Sequence, residues 1–293
     1  LTRHRCAAEE ERLQFPTGCY RPNASVLDNI EDRTGVKIPP ERRIFPFQIT
    51  FDIESFLEKR ALPQSTDKLT YLSVHRLMSV SVCSNVPEYT QPRCLISSGS
   101  ERELVERFID LITLIQQKSF EVLLERYGDV MKRLERVAKD EEAVEEPYAE
   151  AGFSNPGMYY GRTCKRLIKR LLSYLSVIPV IGFNSGSYDL NIMKGPLLRY
   201  LEETDKLEYV IKRGSRLQCI ATEKFRFLDM MNYLTPGTSY AKYLQTFEAK
   251  AQKGFFPYDY IDSLDRLDET RLPPREAFRN TLTNRCLSEE DYE

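Results

Sequence analysis

The sequence predicts an α/β fold in which helices flank a mixed β-sheet. Short apolar runs rich in β-branched residues recur along the chain, and longer stretches between them repeat apolar residues at helical spacing. The 293 residues suffice for one or two domains, and 41% hydrophobic with 29% charged residues is typical of a soluble globular protein. Residues 1–43 are expected to form an irregular lead-in, and residues 44–293 the α/β domain.

The strands are expected in two groups. The first group should form an antiparallel start to the sheet, at about 45–53, 71–83 and 93–97. The second group should complete the sheet, at about 207–212, 216–221 and 224–229.

Helices are expected between these groups. One long or broken helix should run from Glu101 to about Val137, and the charged, Gly- and Pro-marked stretch 139–157 should be a loop. A basic helix is expected over 159–175, and its basic face is either solvated or turned toward DNA. That face carries Arg162, Lys165, Arg166, Lys169 and Arg170.

An Asp-x-Glu pair, Asp52 and Glu54, lies within the first strand. Side chains two apart on a strand share a face, so both carboxylates point the same way while Phe51 and Ile53 face a core. Like charges held so close repel, and a hard divalent cation such as Mg²⁺ would relieve the repulsion. The alternative is an edge strand whose carboxylates are simply solvated.

A second acidic residue, Asp189, follows an apolar strand at 177–181 and the turn-prone residues 184–187. The helical spacing that begins at Leu190 places Asp189 in the first turn of a helix. This carboxylate could complete a metal site beside Asp52 and Glu54. Alternatively, it is an ordinary helix-start Asp that the helix dipole favours.

Together these stretches resemble the 3′–5′ proofreading exonuclease domain of family B DNA polymerases. The first exonuclease motif of that family is Asp-x-Glu, matched by Asp52 and Glu54. The second is Asn, two or three residues, an aromatic residue and Asp, matched by Asn184, Tyr188 and Asp189. The resemblance implies a ribonuclease-H-like fold.

A third match is similar to the protein-primed branch of the family, found in viral and organellar elements and in virus-like DNA transposons. The branch has a lysine motif, matched by Lys253 through Phe256 to Tyr258. The flanking stretches 20–47 and 262–292 resemble the transposon polymerases most, so the resemblance covers nearly the whole chain. Leu1, His4 and Cys6 also resemble the tail of a Cys/His zinc finger, which cannot hold zinc without its first two ligands.

The resemblance implies a fragment of a DNA-directed DNA polymerase that serves DNA replication and hydrolyses 3′ ends with two Mg²⁺ or Mn²⁺ ions. Asp52 would bridge both ions, Glu54 would lie on the nucleophile side, and Asp189 would bind the other ion. Lys253 would offset charge at the scissile phosphate.

The implied partners are the single-stranded 3′ end of primer-template DNA, the polymerase domain of the full-length chain and a terminal protein primer. Asn184, Tyr188 and Tyr258 would hold the DNA, with Ser55 as a weaker candidate. No apolar run is long enough to span a membrane. The expected location is intracellular, in the nucleus or at a viral replication site.

The fourth carboxylate of the family lies in a later Tyr-x-x-x-Asp motif, which we expect beyond Glu293. A literal match, Tyr258 to Asp262, overlaps the lysine motif that should precede it. Asp229 matches a structural position at a strand end. No polymerising motif is present, so we expect a piece truncated at both ends, with feeble exonuclease activity and no nucleotide incorporation.

Two other function classes stay open. One is a catalytically dead mobile-element relic that keeps the ribonuclease-H-like fold. The other is a free-standing ribonuclease or DnaQ-like nuclease, which the lysine motif disfavours. The net charge of −2 is not the basic footprint typical of a DNA-binding domain. The seven cysteines lack CxxC pairs and argue against a disulfide scaffold.

Overall fold

A computed structural model of the chain describes residues 25–65, 70–150, 158–250, 254–280, 284 and 286–293. For 60–65, 71–72, 141–150 and 158–163 it describes the backbone alone. The N-terminal segment with Leu1, His4 and Cys6 lies outside the described residues. So does Lys253.

A seven-stranded mixed sheet is the centre of the fold. Its order is β3-β2-β1-β4-β7-β6-β5, and the pairs β1–β4 and β4–β7 are parallel while all the others are antiparallel. The strands are β1 (Ile49–Ser65), β2 (Thr70–Ser84), β3 (Arg93–Ile96), β4 (Ile178–Gly182), β5 (Leu207–Arg213), β6 (Arg216–Thr222) and β7 (Phe225–Asp229). The predicted α/β class and mixed sheet are confirmed.

Outside the sheet, the described chain contains seven helices and four 3-10 turns, joined by loops. The helices are α1 (Val26–Thr34), α2 (Glu101–Arg126), α3 (Gly128–Glu150), α4 (Met158–Ser176), α5 (Asp189–Thr204), α6 (Tyr240–Thr246) and α7 (Glu289–Tyr292). The 3-10 turns are Pro40–Arg42, Met230–Tyr233, Leu264–Asp268 and Arg275–Phe278. In the part of the chain that the structure describes, no helix combines the length and apolar character needed to cross a membrane.

Two sequence predictions about local structure were wrong. The lead-in is not wholly irregular, because α1 forms behind a capping box in which Ser25 and Asp28 satisfy each other's backbone N–H groups. The loop predicted from 139 is helical as far as Glu150, since Lys, Glu and Ala are good helix formers and only Pro147 opposes the helix. The predicted long helix is broken at Tyr127, between α2 and α3.

The main hydrophobic core lies between one face of the sheet and the helices α2 and α5. Phe51 and Ile53 of β1 point into this core, where the Phe51 and Phe108 rings lie 5.6 Å apart. A second cluster joins α1, α3, α4 and the end of α2 around the buried Tyr127. Phe45 and Phe47 contact both clusters, so the helical layer is packed continuously onto the sheet.

The opposite face of the β1–β2 hairpin is partly covered by the chain after Gly254. Phe56 of β1 and Met78 of β2 form a small buried cluster with Ile261, and Phe256 packs against its side. This contact fixes the segment 254–268 over the same sheet face that carries Asp52 and Glu54. One wall of the site described below therefore comes from this segment.

Candidate functional site

A cavity of about 840 Å³ opens on the face of the sheet opposite the main core. Its floor comes from β1 and β2, and its walls come from the stretch after β4, from α6 and from the segment after Gly254. The sequence-predicted residues among its lining are Asp52, Glu54, Asn184, Tyr188, Asp189 and Tyr258.

Asp52 and Glu54 share the cavity face of β1, as the strand alternation predicts. Phe51 and Ile53 are buried with exposed fractions of 5% and 4%, whereas Asp52 is exposed and Glu54 is half-buried. Asp52 lies opposite Ser81 of β2 and Glu54 opposite Ser79. A register shift directly after Glu54 changes the pairing, so that Ser55 lies opposite Leu77.

Asp189 reaches the same place from the other side of β1. Parallel pairing of β1 with β4 ends at Thr50 and Ile181. Beyond that point the backbone N–H of Ile53 donates to Asp189 Oδ1 at 3.3 Å. The Asp189 carboxyl is buried, and burial together with the charge of Asp52 raises its pKa to about 7. The carboxyls of Asp52 and Asp189 are thus close enough that the charge of Asp52 disfavours ionisation of Asp189.

The turn before α5 is anchored on β6 and β7. Gly186 donates its N–H to Asp229 Oδ2 at 3.1 Å, and its carbonyl accepts from Leu217 N–H at 2.9 Å. A Cβ on Gly186 would lie 1.9 Å from the Leu217 carbonyl oxygen, so only glycine fits. Asp229 is fully buried and also accepts from Arg216 at 2.7 Å. These contacts support the structural position that the sequence indicates for Asp229.

Asn184 begins this turn in the left-handed conformation, with φ of 59°. Asn tolerates that conformation better than most residues, which is a backbone reason for its presence besides any contact with a ligand. Its place in the cavity lining leaves both roles compatible with the geometry.

Two tyrosines project into the cavity near the carboxylates. Burial, followed by the charges of Glu54 and Asp52, raises the pKa of Tyr258 to about 12. Burial also raises the pKa of Tyr188, and its hydrogen bond with Ser55 lowers it by less. Both rings are still partly exposed, at 45% and 39%, so each retains a surface that a ligand could contact.

A hydroxyl–imidazole network at the cavity rim was missed by sequence reasoning. The Ser55 hydroxyl lies 2.8 Å from the Tyr188 hydroxyl and 3.0 Å from Nδ1 of His75. The His75 and Tyr188 rings meet edge to face with centroids 5.4 Å apart. His75 stands on β2 opposite Leu57, and nothing in the sequence around it indicates this pairing.

The donor set of the cavity fits a hard divalent cation. Asp52, Glu54 and Asp189 offer carboxylate oxygens, the ligands that Mg²⁺ and Mn²⁺ take in proteins. Burial first, and then the charge of Asp52, raise the pKa of Asp189, and a bound cation would offset the effect of Asp52. Among the described residues, however, no three His, Cys, Asp or Glu side chains are close enough to form a ready metal-binding group. The three carboxylates line the same cavity but do not converge on one common point.

Other sequence candidates lie away from the cavity or outside the described residues. Lys253 is in the latter class, although Gly254 after it lines the cavity. Asp262 of the literal Tyr-x-x-x-Asp match is exposed and accepts from Arg266 Nε at 3.5 Å. The basic residues of α4 whose side chains are described do not line the cavity.

The cavity also has lining that the sequence did not single out. Phe183, Tyr240 and Tyr243 form one wall, and Ser81 and Cys83 lie on the floor beside Asp52. The only available signal was the density of aromatic residues in 240–247.

Comparison of the chain with protein-family models, with curated proteins and with solved structures gave no match.

The Gly186 contact leads to a stability prediction. Gly186→Ala should lower the free energy of unfolding by about 1–3 kcal/mol or more, since the new methyl group meets a backbone oxygen that cannot move alone. Gly195→Ala is the matched control, because Gly195 lies in α5 with open space around it and should gain ~0.5–1 kcal/mol. Urea unfolding of both variants measures this. Equal effects would show that the turn does not rest on Leu217.

The environment of Asp189 leads to a pH-dependence prediction. Its folded pKa of about 7 exceeds the ordinary value of 3.8, so between these values the folded chain binds a proton that the unfolded chain has released. The free energy of unfolding therefore falls as pH rises through this window. Asp189→Asn removes that loss and should be more stable than the parent by on the order of 2–4 kcal/mol at pH 8, and by far less at pH 4.5.

The measurement is urea unfolding in EDTA at both pH values. Glu202→Gln, an exposed carboxyl on the same helix, is the control. A stability difference between Asp189→Asn and the parent that does not change with pH would contradict the crowded-carboxyl account.

Proposed function

We propose that this chain is part of a protein-primed family B DNA polymerase and carries its 3′–5′ exonuclease site on a ribonuclease-H-like fold. The proposed reaction is phosphodiester hydrolysis at the 3′ end of single-stranded DNA. One observation carries the proposal: Asp52 and Glu54 of the first motif line one cavity with Asn184, Tyr188 and Asp189 of the second motif and with Tyr258.

The topology around the motifs supports this proposal. The Asp-x-Glu pair stands on a strand in the middle of a mixed sheet, and the second motif follows the adjacent parallel strand β4. The second motif thus lies just beyond the carboxyl end of a parallel strand, which is the usual place for a site in an open α/β sheet. The strand β1 lies inside the sheet, although its pairing with β4 covers only Ile49 and Thr50, and beyond them Asp189 takes the place of a neighbouring strand at Ile53.

Asp52, Glu54 and Asp189 would hold two divalent ions. Such ions, when bound, lower the pKa of a water nucleophile and stabilise the leaving oxygen. The chain's own contribution is to keep the three carboxylates on one face and Asp189 fixed to Ile53 N–H. Cations would also shift Asp189 toward its charged form at neutral pH, which its surroundings alone disfavour.

The unpaired 3′ nucleotide would be held by the aromatic side of the cavity. Tyr188 and Tyr258 retain partly exposed rings, and Phe255 beside them is 58% exposed. Stacking of a base on such a ring contributes roughly 1–3 kcal/mol. The Ser55–His75 pair holds the Tyr188 hydroxyl and so limits how far its ring can turn. The polymerase domain and a terminal protein primer are the proposed further partners, and Lys253 the proposed cation at the phosphate.

A catalytically dead relic is the second candidate, and the geometry contains an observation that favours it. The three carboxylates do not form a closed ligand group among the described residues, and Asp189 has a pKa that leaves it partly protonated at neutral pH. A relic of this kind would keep the motif residues and the fold but would bind no cation. The two readings differ in their response to metal.

A cleavage assay tests the proposed function. With Mg²⁺ or Mn²⁺, the chain should shorten 5′-labelled single-stranded DNA only slowly from its 3′ end, since the described lining of the cavity offers three carboxylates. It should incorporate no nucleotides, since the sequence contains no polymerising motif. Asp52→Ala should abolish shortening. Glu58→Ala, on the same strand but paired with Arg76 at 2.7 Å, is the control and should cleave normally. No cleavage by the parent under any metal would favour the relic.

Rapid degradation would instead mean that the fourth ligand lies within this chain. Asp262→Asn then becomes the decisive variant, because Asp262 is exposed and could leave Arg266 for the cavity.

Metal binding has a readout that is independent of cleavage. At pH 7.5, Mg²⁺ at ten times its dissociation constant should raise the midpoint of thermal unfolding by roughly 2–5 °C. The shift should disappear in Asp52→Asn and Asp189→Asn, which remove a charge and keep the shape, and persist in Glu58→Gln. An Mg²⁺ shift that is equal in all four proteins would remove the carboxylates as ligands.

A further inference from the structure

The aromatic wall of the cavity continues beyond the carboxylates along α6. The Phe183 ring lies 5.0 Å from Tyr240 and 5.6 Å from Tyr243, and Tyr243 lies 4.9 Å from Phe247, all between ring centroids. Phe183, Tyr240 and Tyr243 line the cavity, and Phe247 lies beyond its lining with 64% of its surface exposed. We call these four residues the aromatic ladder. It leads outward from the site.

Core packing does not account for the aromatic ladder. Helix α6 has no buried residue, so its rings do not hold the helix in a hydrophobic core. Tyr240 and Phe247 are exposed, and Tyr243 is only half-buried between its neighbours. A group of adjacent rings left open to water is typical of a surface that binds a partner.

The shape and charge of the ladder favour nucleobases as that partner. Aromatic rings at successive positions offer stacking faces that accept any base, and the helix carries Lys242 and no acidic residue. Lys242 is exposed. The ladder is also continuous with the cavity in which the 3′ end of the strand is proposed to lie.

We infer that the aromatic ladder is a second binding subsite for single-stranded DNA, which stacks the bases that precede the 3′-terminal nucleotide. The inference rests on the proposed function and deepens it, since it makes the preferred substrate an unpaired strand several nucleotides long. A dinucleotide fills the cavity but does not reach Phe247. Affinity therefore increases with strand length until the ladder is covered.

The test measures the dissociation constants of 5′-fluorescent oligothymidylates of two, four, six and eight nucleotides. Ca²⁺ replaces Mg²⁺, and gels confirm that the strands stay intact. Phe247→Leu should weaken binding of the eight-nucleotide strand about five-fold or more, which is about 1 kcal/mol per lost stacking contact, and leave the dinucleotide unaffected. Tyr243→Leu should weaken binding of the eight-nucleotide strand by a similar factor and can act on the dinucleotide as well, because Tyr243 also lines the cavity. Tyr209→Leu, an exposed ring on β5 at the sheet edge, is the matched control.

Abasic substitution locates the contact. In the parent protein, an abasic site at a ladder position should weaken binding about as much as Tyr243→Leu does, and combining the two should add little. Circular dichroism and thermal unfolding check that both variants fold.

The possible results distinguish failure of the ladder subsite from failure of the proposed function. If the parent binds and cleaves single-stranded DNA but both ladder variants retain its affinity within two-fold at every length, the ladder serves another partner and this inference is overturned alone. If the parent neither binds nor cleaves any of these strands, the proposed function fails and the ladder inference fails with it. Loss of affinity in Phe247→Leu that is confined to the longer strands supports the subsite, and its absence overturns the inference whatever the result for Tyr243→Leu.

Discussion

The hydrogen bond from Ile53 N–H to Asp189 Oδ1 is the contact on which the geometry of the site depends. It is possible because β1 and β4 pair over only two residues before β4 ends, which frees the edge of β1 just where Asp52 and Glu54 begin. A buried N–H without a partner is costly, so the start of α5 is required to provide an acceptor there. The Asp189 carboxylate is that acceptor. The same bond that completes the sheet thus brings a third carboxylate to an acidic face.

Two buried aspartates, Asp229 at the end of β7 and Asp189 at the start of α5, differ in how their charges are balanced. Asp229 accepts from Gly186, Arg216 and the Met231 N–H, so its charge is balanced and its position is set. Asp189 is buried to a similar degree but accepts from Ile53 and lies near another carboxylate, which raises its pKa. Asp229 anchors the turn before α5, and this turn places Asp189 where burial and the charge of Asp52 disfavour its ionised form.

Sequence reasoning succeeded where short-range rules decide the outcome. Alternation fixed the face of Asp52, and turn residues followed by helical spacing put Asp189 in the first turn of α5. It failed where distant residues decide. The helix α1 is a different kind of miss, because the capping pair Ser25 and Asp28 was a local signal that the prediction overlooked. This helix packs against α3 and α4. The approach of His75 to Ser55 depends on the register of β1 with β2 and on the shift after Glu54, which sequence alone does not specify. The aromatic wall likewise depends on where α6 packs, far along the chain.

The charge distribution of the site bears on the net charge of −2, which at first argued against DNA. No Lys or Arg occurs among the described residues that line the cavity, whose floor is acidic and whose walls are aromatic. Such a surface repels a phosphate backbone unless cations are bound, and it attracts bases through stacking. Affinity for DNA would then come from bound metal and from rings rather than from a basic patch. A near-neutral chain is compatible with a nucleic-acid site of this kind, because the positive charge that faces the phosphates would come from metal cations. Those cations would be present only when they are bound to the carboxylates.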